Sequence, residues 1–282
     1  MRIIASPVEA QTYCAAQRET GKQIGLVPTM GYLHEGHLSL VRQARAENDL
    51  VVVSIFVNPI QFGPSEDLAS YPRDFERDSQ LLAAEDTDVI FAPTVEQMYP
   101  PESVTFVEVT GDLTKGLCGA RRPGHFRGVT TVVSKLFNIV RPHRAYFGQK
   151  DAQQLVVIQR MVADLNFGID IVPMPIVREP DGLAMSSRNR YLSPDERQAA
   201  TVLYRALQHA KARIKSSVRS AAEIIASMQS VINQEKSAKV DYIEIVDANH
   251  LQPVGAIRGE VLIALAVYFG KTRLIDNLRV DE

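Results

Sequence analysis

Between Asp49 and Val57 the sequence is an almost continuous run of β-branched and aromatic residues, Asp-Leu-Val-Val-Val-Ser-Ile-Phe-Val. A strand that is apolar on both faces belongs inside a parallel sheet that is covered by helices on both sides. The preceding residues fit this architecture, because Lys22 to Thr29 predicts a short buried strand and His37 to Arg45 has the apolar spacing of a helix. Together the three segments predict a βαβ unit.

Strand and helix patterns keep alternating after this unit. The next predicted elements are helices over 75–84 and 130–140 and strands over 88–92 and 144–148. Such an order predicts an α/β fold, in which a doubly wound parallel sheet carries helices on both faces.

The pattern changes after residue 188. The elements predicted there are a long amphipathic helix over 193–214, a second helix over 221–235, and strand-like segments over 240–246 and 261–267. We therefore expect residues 1–176 to form the parallel-sheet domain. Residues 177–282 are expected to form a smaller α+β domain that packs closely around a shared cleft.

The composition excludes several classes of protein. The chain has 282 residues, of which 45% are hydrophobic and 23% charged, and this is the usage of a globular protein rather than a disordered one. A formal net charge of -2 without long basic runs makes a nucleic acid an unexpected partner. Cys14 and Cys118 form no disulfide framework, and no apolar stretch has the length of a membrane span. We expect a cytoplasmic protein that does not associate with membranes.

The segment from Pro28 to His37, Pro-Thr-Met-Gly-Tyr-Leu-His-Glu-Gly-His, is the sharpest candidate for chemistry. It leaves the first strand of the βαβ unit in a turn and brings His34 and His37 to the start of a helix. Unpaired N–H groups and the dipole at a helix N-terminus favour phosphate oxygens, and Gly31 and Gly36 allow the backbone to approach them. The alternative is a pair of capping or core histidines.

Three other signatures fail. A His-Glu-x-x-His zinc motif needs histidines four residues apart, whereas His34 and His37 are three apart. The segment Gly270-Lys271-Thr272 lacks the earlier glycine of a phosphate loop, so we interpret it as a turn. The glycines at 116, 119, 124 and 128 form no Gly-x-Gly-x-x-Gly pattern after a strand, which removes the main argument for a dinucleotide dehydrogenase.

Further polar segments occur where a doubly wound sheet binds ligands, which is beyond the carboxyl ends of its strands. Lys150 follows a predicted strand, and the segment 185–190 offers hydroxyl groups and a guanidinium that suit a leaving pyrophosphate. Gln61 follows the most apolar strand, and Gln153 and Gln154 begin a helix after Lys150. Each has an ordinary alternative, as a solvated lysine, a polar connector or a turn amide.

Taken together, the turn at 30–37, Gln61, the loop at 148–151 and the segment 185–188 resemble the pantothenate synthetase family in content, order and approximate spacing. His34-Glu35-Gly36-His37 and the Met-Ser-Ser-Arg segment also resemble the two signatures of the wider nucleotidyltransferase superfamily. The resemblance implies a Rossmann-like domain with a smaller C-terminal domain. It also implies a homodimer that makes pantothenate from pantoate, β-alanine and ATP with magnesium.

The resemblance also implies roles for individual residues. At the ATP site it implies Met30, Gly31, Tyr32, Leu33, His34, Glu35, Gly36, His37, Gly148, Gln149, Lys150, Asp151, Val177, Met185, Ser186, Ser187 and Arg188. The catalytic residues among them are His37, His34, Lys150 and Arg188, with His37 as the acid-type catalyst. Gln61 and Gln154 would bind pantoate, Gln61 would also lie near β-alanine, and Asp78 would bind magnesium although Arg77 interrupts the acidic run.

A carboxylate and an amine do not condense in neutral water, because the amine is mostly protonated and the leaving oxygen is poor. We expect the pantoate carboxylate to attack the α-phosphorus of ATP while the catalytic cations and Mg²⁺ stabilise the departing pyrophosphate. β-Alanine then attacks the pantoyl adenylate and releases AMP. The segment 62–70, which includes Ser65, is expected to act as a lid. Two alternatives are a nucleotidyltransferase that transfers AMP and stops, and an ATP-sensing module without turnover.

Overall fold

The structure is a computed structural model that describes residues 1–64 and 66–281. The chain divides into two compact units. The first contains residues 1–110, 122–149 and 157–175, and the second contains residues 111–121, 150–156 and 176–282. Two short stretches that precede residue 176 therefore belong to the second unit. The division into functional domains at residues 176 and 177 stays a prediction.

The first unit is built on a parallel sheet. The strands of this sheet are β1 (Arg2–Ile4), β2 (Ile24–Thr29), β3 (Leu50–Ile55), β4 (Val89–Phe91), β5 (Arg144–Gly148) and β6 (Asp170–Met174). Their order across the sheet is β1-β4-β3-β2-β5-β6, and the pairs are parallel. The apolar run that predicted a central strand is β3, and its first five residues are buried. The predicted doubly wound α/β fold is confirmed.

The helices predicted at 37–45, 75–84 and 221–235 have bounds within three residues of those observed, whereas the helix predicted at 130–140 begins five residues earlier. The α-helices of the described residues are α1 (Pro7–Glu19), α2 (Glu35–Glu47), α3 (Phe75–Ala84), α4 (Val95–Met98), α5 (Leu117–Arg121), α6 (His125–Val140), α7 (Ala152–Asp164), α8 (Pro194–Ala199), α9 (Val202–Lys215) and α10 (Ala221–Ile232). Capping residues explain several of the starts. Ser6 accepts the N–H of Glu9 before α1, and Asp74 accepts the N–H of Arg77 at the start of α3.

The second unit contains an antiparallel sheet of β7 (Ala238–Asp247), β8 (Val261–Phe269) and β9 (Thr272–Val280), in that order. Buried residues of α9 and α10, such as Leu207 and Met228, belong to the same apolar core as Ile263 of β8. Gly270, with φ of 55°, lies in the two-residue turn between β8 and β9, so the interpretation of 270–272 as a turn is confirmed. The predicted α+β composition of this part is also confirmed.

The prediction of one long helix over 193–214 is wrong. Helix α8 ends at Ala199 and α9 begins at Val202. Between them the Thr201 hydroxyl donates to the Gln198 carbonyl oxygen at 2.8 Å, and the Leu203 N–H bonds to Ala200 three residues back at 3.2 Å. A hydroxyl bond to the preceding turn and a tighter hydrogen-bond step both interrupt the regular helical ladder. Hydrophobic spacing does not reveal either effect.

Two other predictions concern the environment of the chain. Over residues 1–64 and 66–281, every helix is too short or too polar to cross a bilayer. Cys14 and Cys118 are both buried free thiols.

Candidate active site

The turn after β2 is held in an unusual backbone conformation. Gly31 and Tyr32 have φ of 81° and 50°, in the left-handed region that residues other than glycine rarely adopt. The Thr29 hydroxyl accepts the Gly31 N–H at 3.2 Å and donates to the Ser54 carbonyl oxygen at 2.7 Å. These bonds tie the start of the turn to the neighbouring strand β3.

The turn is also held from α3. Asp78, whose relative exposure is 1%, accepts the N–H of Tyr32 at 2.6 Å and the N–H of Leu33 at 2.8 Å, one on each carboxylate oxygen. Arg77 donates to the Leu33 carbonyl oxygen at 2.9 Å and lies over the Tyr32 ring. Burial raises the pKa of Asp78 more than the two N–H groups and Arg77 lower it. Adjacent residues of α3 thus fix the N–H and C=O groups of the turn.

The turn delivers the two histidines to the N-terminus of α2. The His34 and His37 rings lie 4.0 Å apart between centroids, at an angle of 33°. The His34 N–H donates to Nδ1 of His37 at 3.3 Å. Because Nδ1 accepts this bond, the neutral ring of His37 carries its proton on Nε2. The Nε2 proton and the N–H groups at the positive end of the helix dipole can both donate to anionic oxygens.

The end of β3 leads to a second polar group. Residues Pro59–Gln61 form a short 3-10 helix after Asn58. Asn58 donates to the Gln61 side-chain oxygen at 3.0 Å, and Gln61 Nε2 points to the Met30 sulfur at 3.2 Å. The structure therefore brings Gln61 to Met30, at the beginning of the histidine turn. A thioether is a weak acceptor, so a substrate oxygen could replace it at Nε2.

Asn58 was not singled out in the sequence analysis. Asn58 is 1% exposed, and its oxygen accepts the Tyr99 hydroxyl at 2.8 Å. Burial raises the pKa of Tyr99, which keeps this hydroxyl a donor. A signal was present, because an amide that directly follows a buried strand needs partners if it is buried too. Of the predicted lid at 62–70, Ser65 lies outside the described residues.

In the second unit, the predicted ATP-site residues belong to two segments, the loop at 150–151 and the region 177–188. The Met185 N–H donates to the Val177 carbonyl oxygen at 3.0 Å, and Arg178 pairs with Ala184 through an isolated bridge, so 177 and 185 face each other across a tight hairpin. Ser186 accepts the Arg188 N–H at 3.3 Å, which begins a 3-10 helix over Ser187–Tyr191. The hydroxyl and guanidinium groups of 186–188 are thus presented from one short turn.

Strand β9 holds both segments. Arg178 makes a bidentate ion pair with Asp276, at 2.6 and 2.9 Å, and Asp276 is 1% exposed. The next residue, Asn277, donates from its side chain to the Lys150 carbonyl oxygen at 2.8 Å. The loop of Lys150 and the 178–184 hairpin are therefore both fixed by adjacent residues of one strand. Neither contact was predicted from the sequence.

The remaining predicted residues occupy distinct places. Gly148 ends β5 and Gln149 follows it in the first unit, whereas Lys150, Asp151 and Gln154 belong to the second. Gln153, which was considered beside Gln154, is buried and has a structural role. Its side chain donates to the carbonyl oxygens of Leu113 and Gly116, at 2.9 and 3.0 Å, and accepts the Gly119 N–H. Gln154 is half-buried.

Comparisons with known proteins decide what this arrangement belongs to. The model of the family described as pantoate-beta-alanine ligase matches residues 2–279. The chain is 59% identical to pantothenate synthetase of Thermotoga neapolitana, over 98% of this chain and 99% of that protein. It is 58% identical to pantothenate synthetase of Moorella thermoacetica, over 100% of this chain and 99% of that one.

The chain belongs to the pantoate-β-alanine ligase family. Solved structures agree, since pantothenate synthetase from Thermus thermophilus has 47% identity and a TM-score of 0.93, with 99% of both chains covered. The ligase from Francisella tularensis, complexed with β-γ ATP and β-alanine, has 35% identity and a TM-score of 0.82, covering 99% of this chain and 97% of that one. As a pantoate-β-alanine ligase, the protein is an enzyme that forms a carbon–nitrogen bond.

Proposed function

We propose that the enzyme condenses pantoate with β-alanine in two steps through a pantoyl adenylate, with ATP as the activating substrate. The observation that carries this proposal is the histidine turn, which presents a proton on His37 Nε2 at the N-terminus of α2. A related ligase of 35% identity was solved with β-γ ATP and β-alanine, which supports the same substrates here. The carboxylate oxygen of pantoate forms a bond to the α-phosphorus of ATP, and pyrophosphate leaves.

In this proposal, residues 30–37 bind the ATP phosphates. His37 donates from Nε2 to the phosphate oxygens that gain charge as pyrophosphate departs, and the adjacent His34 ring adds a second polar group. Gln61 binds pantoate, because its Nε2 can donate to a carboxylate or hydroxyl oxygen, and it lies near the incoming amine. Fixed donors of this kind lower the barrier most when they do not have to reorganise during the reaction.

The second unit supplies the other donors in this proposal. Lys150 and Arg188 bind the phosphates together with His34 and His37, with backbone and side-chain groups of 148–151, Val177 and 185–188 completing the nucleotide site. Gln154 is a further pantoate ligand in this proposal. This part of the proposal is supported by β9, which holds the loop of Lys150 and the 178–184 hairpin in place, as a site for a defined ligand requires. In the second step the amine of β-alanine attacks the acyl carbon, AMP leaves, and the amide remains.

We further propose that ATP enters as its magnesium complex, with Mg²⁺ held by phosphate oxygens and water. Asp78, the predicted ligand, does not fit a resident magnesium site. Both of its oxygens accept backbone N–H groups, and the Arg77 guanidinium lies 3.6 Å from one of them. Over residues 1–64 and 66–281, no cluster of three or more histidine, cysteine or acidic side chains has the arrangement of a metal site.

The test separates the two half-reactions. Purified enzyme with ATP, Mg²⁺ and pantoate should exchange labelled pyrophosphate into ATP, and β-alanine should then trigger AMP release with formation of the amide. His37→Ala should lower the exchange rate by roughly 10²- to 10³-fold, the effect of losing one fixed donor. His250→Ala, at an exposed histidine of the second unit, is the matched control. AMP transfer without amide would indicate the nucleotidyltransferase alternative, and binding without turnover the sensor.

We also propose a cytoplasmic homodimer, as the family resemblance implies. Val104 and Phe106, which lie in a segment that is neither helix nor strand, are 83% and 49% exposed and would be covered in such an assembly. The two buried thiols fit a reducing compartment. Light scattering of the wild type and of Val104→Asp tests this proposal. We expect a dimer for the wild type and a weaker dimer for the variant, and a monomeric wild type would contradict it.

A further inference from the structure

Gln61 is fixed by the first unit at its side chain, its carbonyl group and its Cα atom. The side-chain oxygen accepts from Asn58, and Asn58 is itself held by the Tyr99 hydroxyl and by a bond to the Gly128 carbonyl oxygen at 3.1 Å. Because the Asn58 oxygen accepts from Tyr99, its nitrogen must face Gln61 and Gly128. Gln61 Oε1 is therefore an acceptor toward the protein, and Nε2 is the group available to a substrate.

The carbonyl group of Gln61 is held by a chain of three side chains. His125, which begins α6 and is 8% exposed, has Nδ1 at 2.8 Å from this carbonyl oxygen, so Nδ1 donates the bond. Nε2 of the same ring then accepts from Arg122, at 2.9 Å. Arg122 in turn makes a bidentate ion pair with Glu66, at 2.9 and 2.5 Å. The proton positions on His125 are thus set from both sides of the ring.

The third constraint is steric. Helix α6 packs against the 3-10 helix Pro59–Gln61 at Gly128, where no Cβ atom separates the two backbones. A Cβ added to Gly128 would lie 2.4 Å from the Ile60 carbonyl oxygen and 2.6 Å from the Gln61 Cα atom. Contacts below 3.0 Å with backbone atoms are not tolerated, so one backbone would have to move. Gly128 lies inside a helix without a left-handed φ, so the contact alone explains why glycine is needed there.

We propose that Gly128, His125, Arg122 and Glu66 are positioning residues that set Gln61 at the distance and orientation at which it binds pantoate. The proposal rests on the proposed role of Gln61. Each of the four acts through Gln61: Gly128 sets how closely α6 approaches, His125 fixes the carbonyl group, and the Arg122–Glu66 pair fixes the tautomer and position of His125. The positions of these residues, not only the amide of Gln61, then determine the affinity for pantoate.

The first experiment displaces Gln61 without removing any of its hydrogen-bonding groups. In Gly128→Ala, we expect the KM for pantoate in pyrophosphate exchange to rise at least tenfold and up to about 10²-fold, because a displacement near 1 Å costs this much in a positioned site. The KM for ATP should change less than about twofold, because Gln61 does not bind ATP in this proposal and a displacement affects only the ligand that the displaced group positions. The matched control is Gly255→Ala, where an added Cβ meets no atom within 4 Å, and its kinetics should be those of the wild type.

The second experiment tests the hydrogen-bonded chain and does not depend on how well Gly128→Ala folds. In His125→Asn, the side-chain amide can still donate to the Gln61 carbonyl oxygen. In His125→Phe this donor is lost, and only the longer bond from Arg122 Nη2, at 3.4 Å, remains. We expect the phenylalanine variant to show the raised KM for pantoate and the asparagine variant to restore most of it. A merely structural role would lower the melting temperature of both variants and leave the KM ratio of pantoate to ATP unchanged.

A third variant separates this inference from the proposed role of Gln61. If Gln61→Ala leaves the KM for pantoate unchanged, the proposed role of Gln61 fails. If Gln61→Ala raises this KM but Gly128→Ala and His125→Phe do not, the role of Gln61 stands and the positioning inference is overturned. A raised KM for pantoate in all three variants, with the KM for ATP conserved, supports both.

Discussion

The histidine turn of the first unit and the 178–184 hairpin of the second are held by buried aspartates that bind different kinds of group. Asp78 accepts two backbone N–H groups of the turn itself, whereas Asp276 binds the guanidinium of Arg178. A carboxylate that accepts amide protons sets the backbone conformation directly. A carboxylate that pairs with a side chain fixes the hairpin only through that side chain, but it compensates a full opposite charge.

The two aspartates should differ in how much stability is lost when their contacts are removed. Both aspartates are 1% exposed, so neither carboxylate is compensated by bulk water. When an ion pair of this kind loses one partner, the other charge stays buried and uncompensated. When amide donors lose their acceptor, neutral dipoles are left, and the Arg77 guanidinium that lies 3.6 Å from Asp78 is exposed enough to stay hydrated. Loss of the Arg178–Asp276 pair should therefore cost more stability. Loss of the Asp78 contacts to the histidine turn should cost more activity.

Asp276→Asn is the variant with the largest expected effect on folding. It leaves the Arg178 guanidinium without its anionic partner, so we expect the free energy of unfolding to fall by about 3–5 kcal/mol. Chemical denaturation measures this loss. Asp164→Asn removes the partner of Arg160 from an exposed ion pair and should leave stability close to that of the wild type. A smaller loss for Asp276→Asn than for Asp78→Asn would reverse the comparison.

Asp78→Asn should be less destabilising and more harmful to activity. An asparagine oxygen can accept one N–H group of the turn, but its NH₂ group would face the other, so we expect a loss of about 1–3 kcal/mol in stability. Because Tyr32 and Leu33 then move, kcat/KM for ATP should fall by about 10²-fold. The matched control is Asp74→Asn on the same helix, since asparagine caps α3 as well as aspartate does. Equal activity of the two variants would refute a role of Asp78 in shaping the turn.

Asn277→Ala tests the second contact that β9 makes within the second unit. It removes the side-chain bond to the Lys150 carbonyl oxygen and leaves the Arg178–Asp276 pair in place. We expect a stability loss of about 0.5–1.5 kcal/mol and a severalfold rise in the KM for ATP. Asn138→Ala, which loses a bond to the Ser134 carbonyl oxygen of its own helix, should show a similar stability loss without the KM change. If both KM values stay the same, Asn277 does not position the loop of Lys150.

The smallest expected effect is a pH dependence that belongs to Asp78. Burial raises its folded-state pKa, so the folded protein binds this proton more tightly than the unfolded chain does. The stability of the wild type relative to Asp78→Asn should therefore decrease as the pH rises from about 4, where an unfolded aspartate ionises, and level off above the folded-state pKa. Denaturation of both proteins across this range measures the difference. A difference that grows with pH would show that the amide donors outweigh burial.

The sequence predicted most of the framework because strands and helices follow from local patterns. The run at 49–57 predicted a buried strand and contains β3, and helix α3 has the predicted bounds at 75 and 84. The break at 200–201 was missed, since it depends on a hydroxyl bond and a tighter backbone bond that hydrophobic spacing does not show. Strands β1, β6 and β9 were missed as well, although the turn before β9 was identified.

The candidate site was predicted unevenly for the same reason. The histidine turn and the Met-Ser-Ser-Arg segment carry their own local signals, and the family resemblance is confirmed. The roles of Asp78 and Gly128 carry no such signal. Asp78 lies 46 residues from Tyr32 along the chain, and Gly128 contacts Gln61 across 67 residues, so no local window contains both partners.

Sequence patterns alone identified the βαβ unit and the alternation of strands and helices that follows it, the turn that brings two histidines to a helix N-terminus, and the family. Only the tertiary structure decided which carboxylate shapes that turn, which strand fixes the loop of Lys150, and how the Gln61 amide is oriented. The physical reason is that backbone periodicity is set by neighbouring residues, whereas a buried hydrogen bond depends on which distant groups packing leaves within about 3 Å of each other.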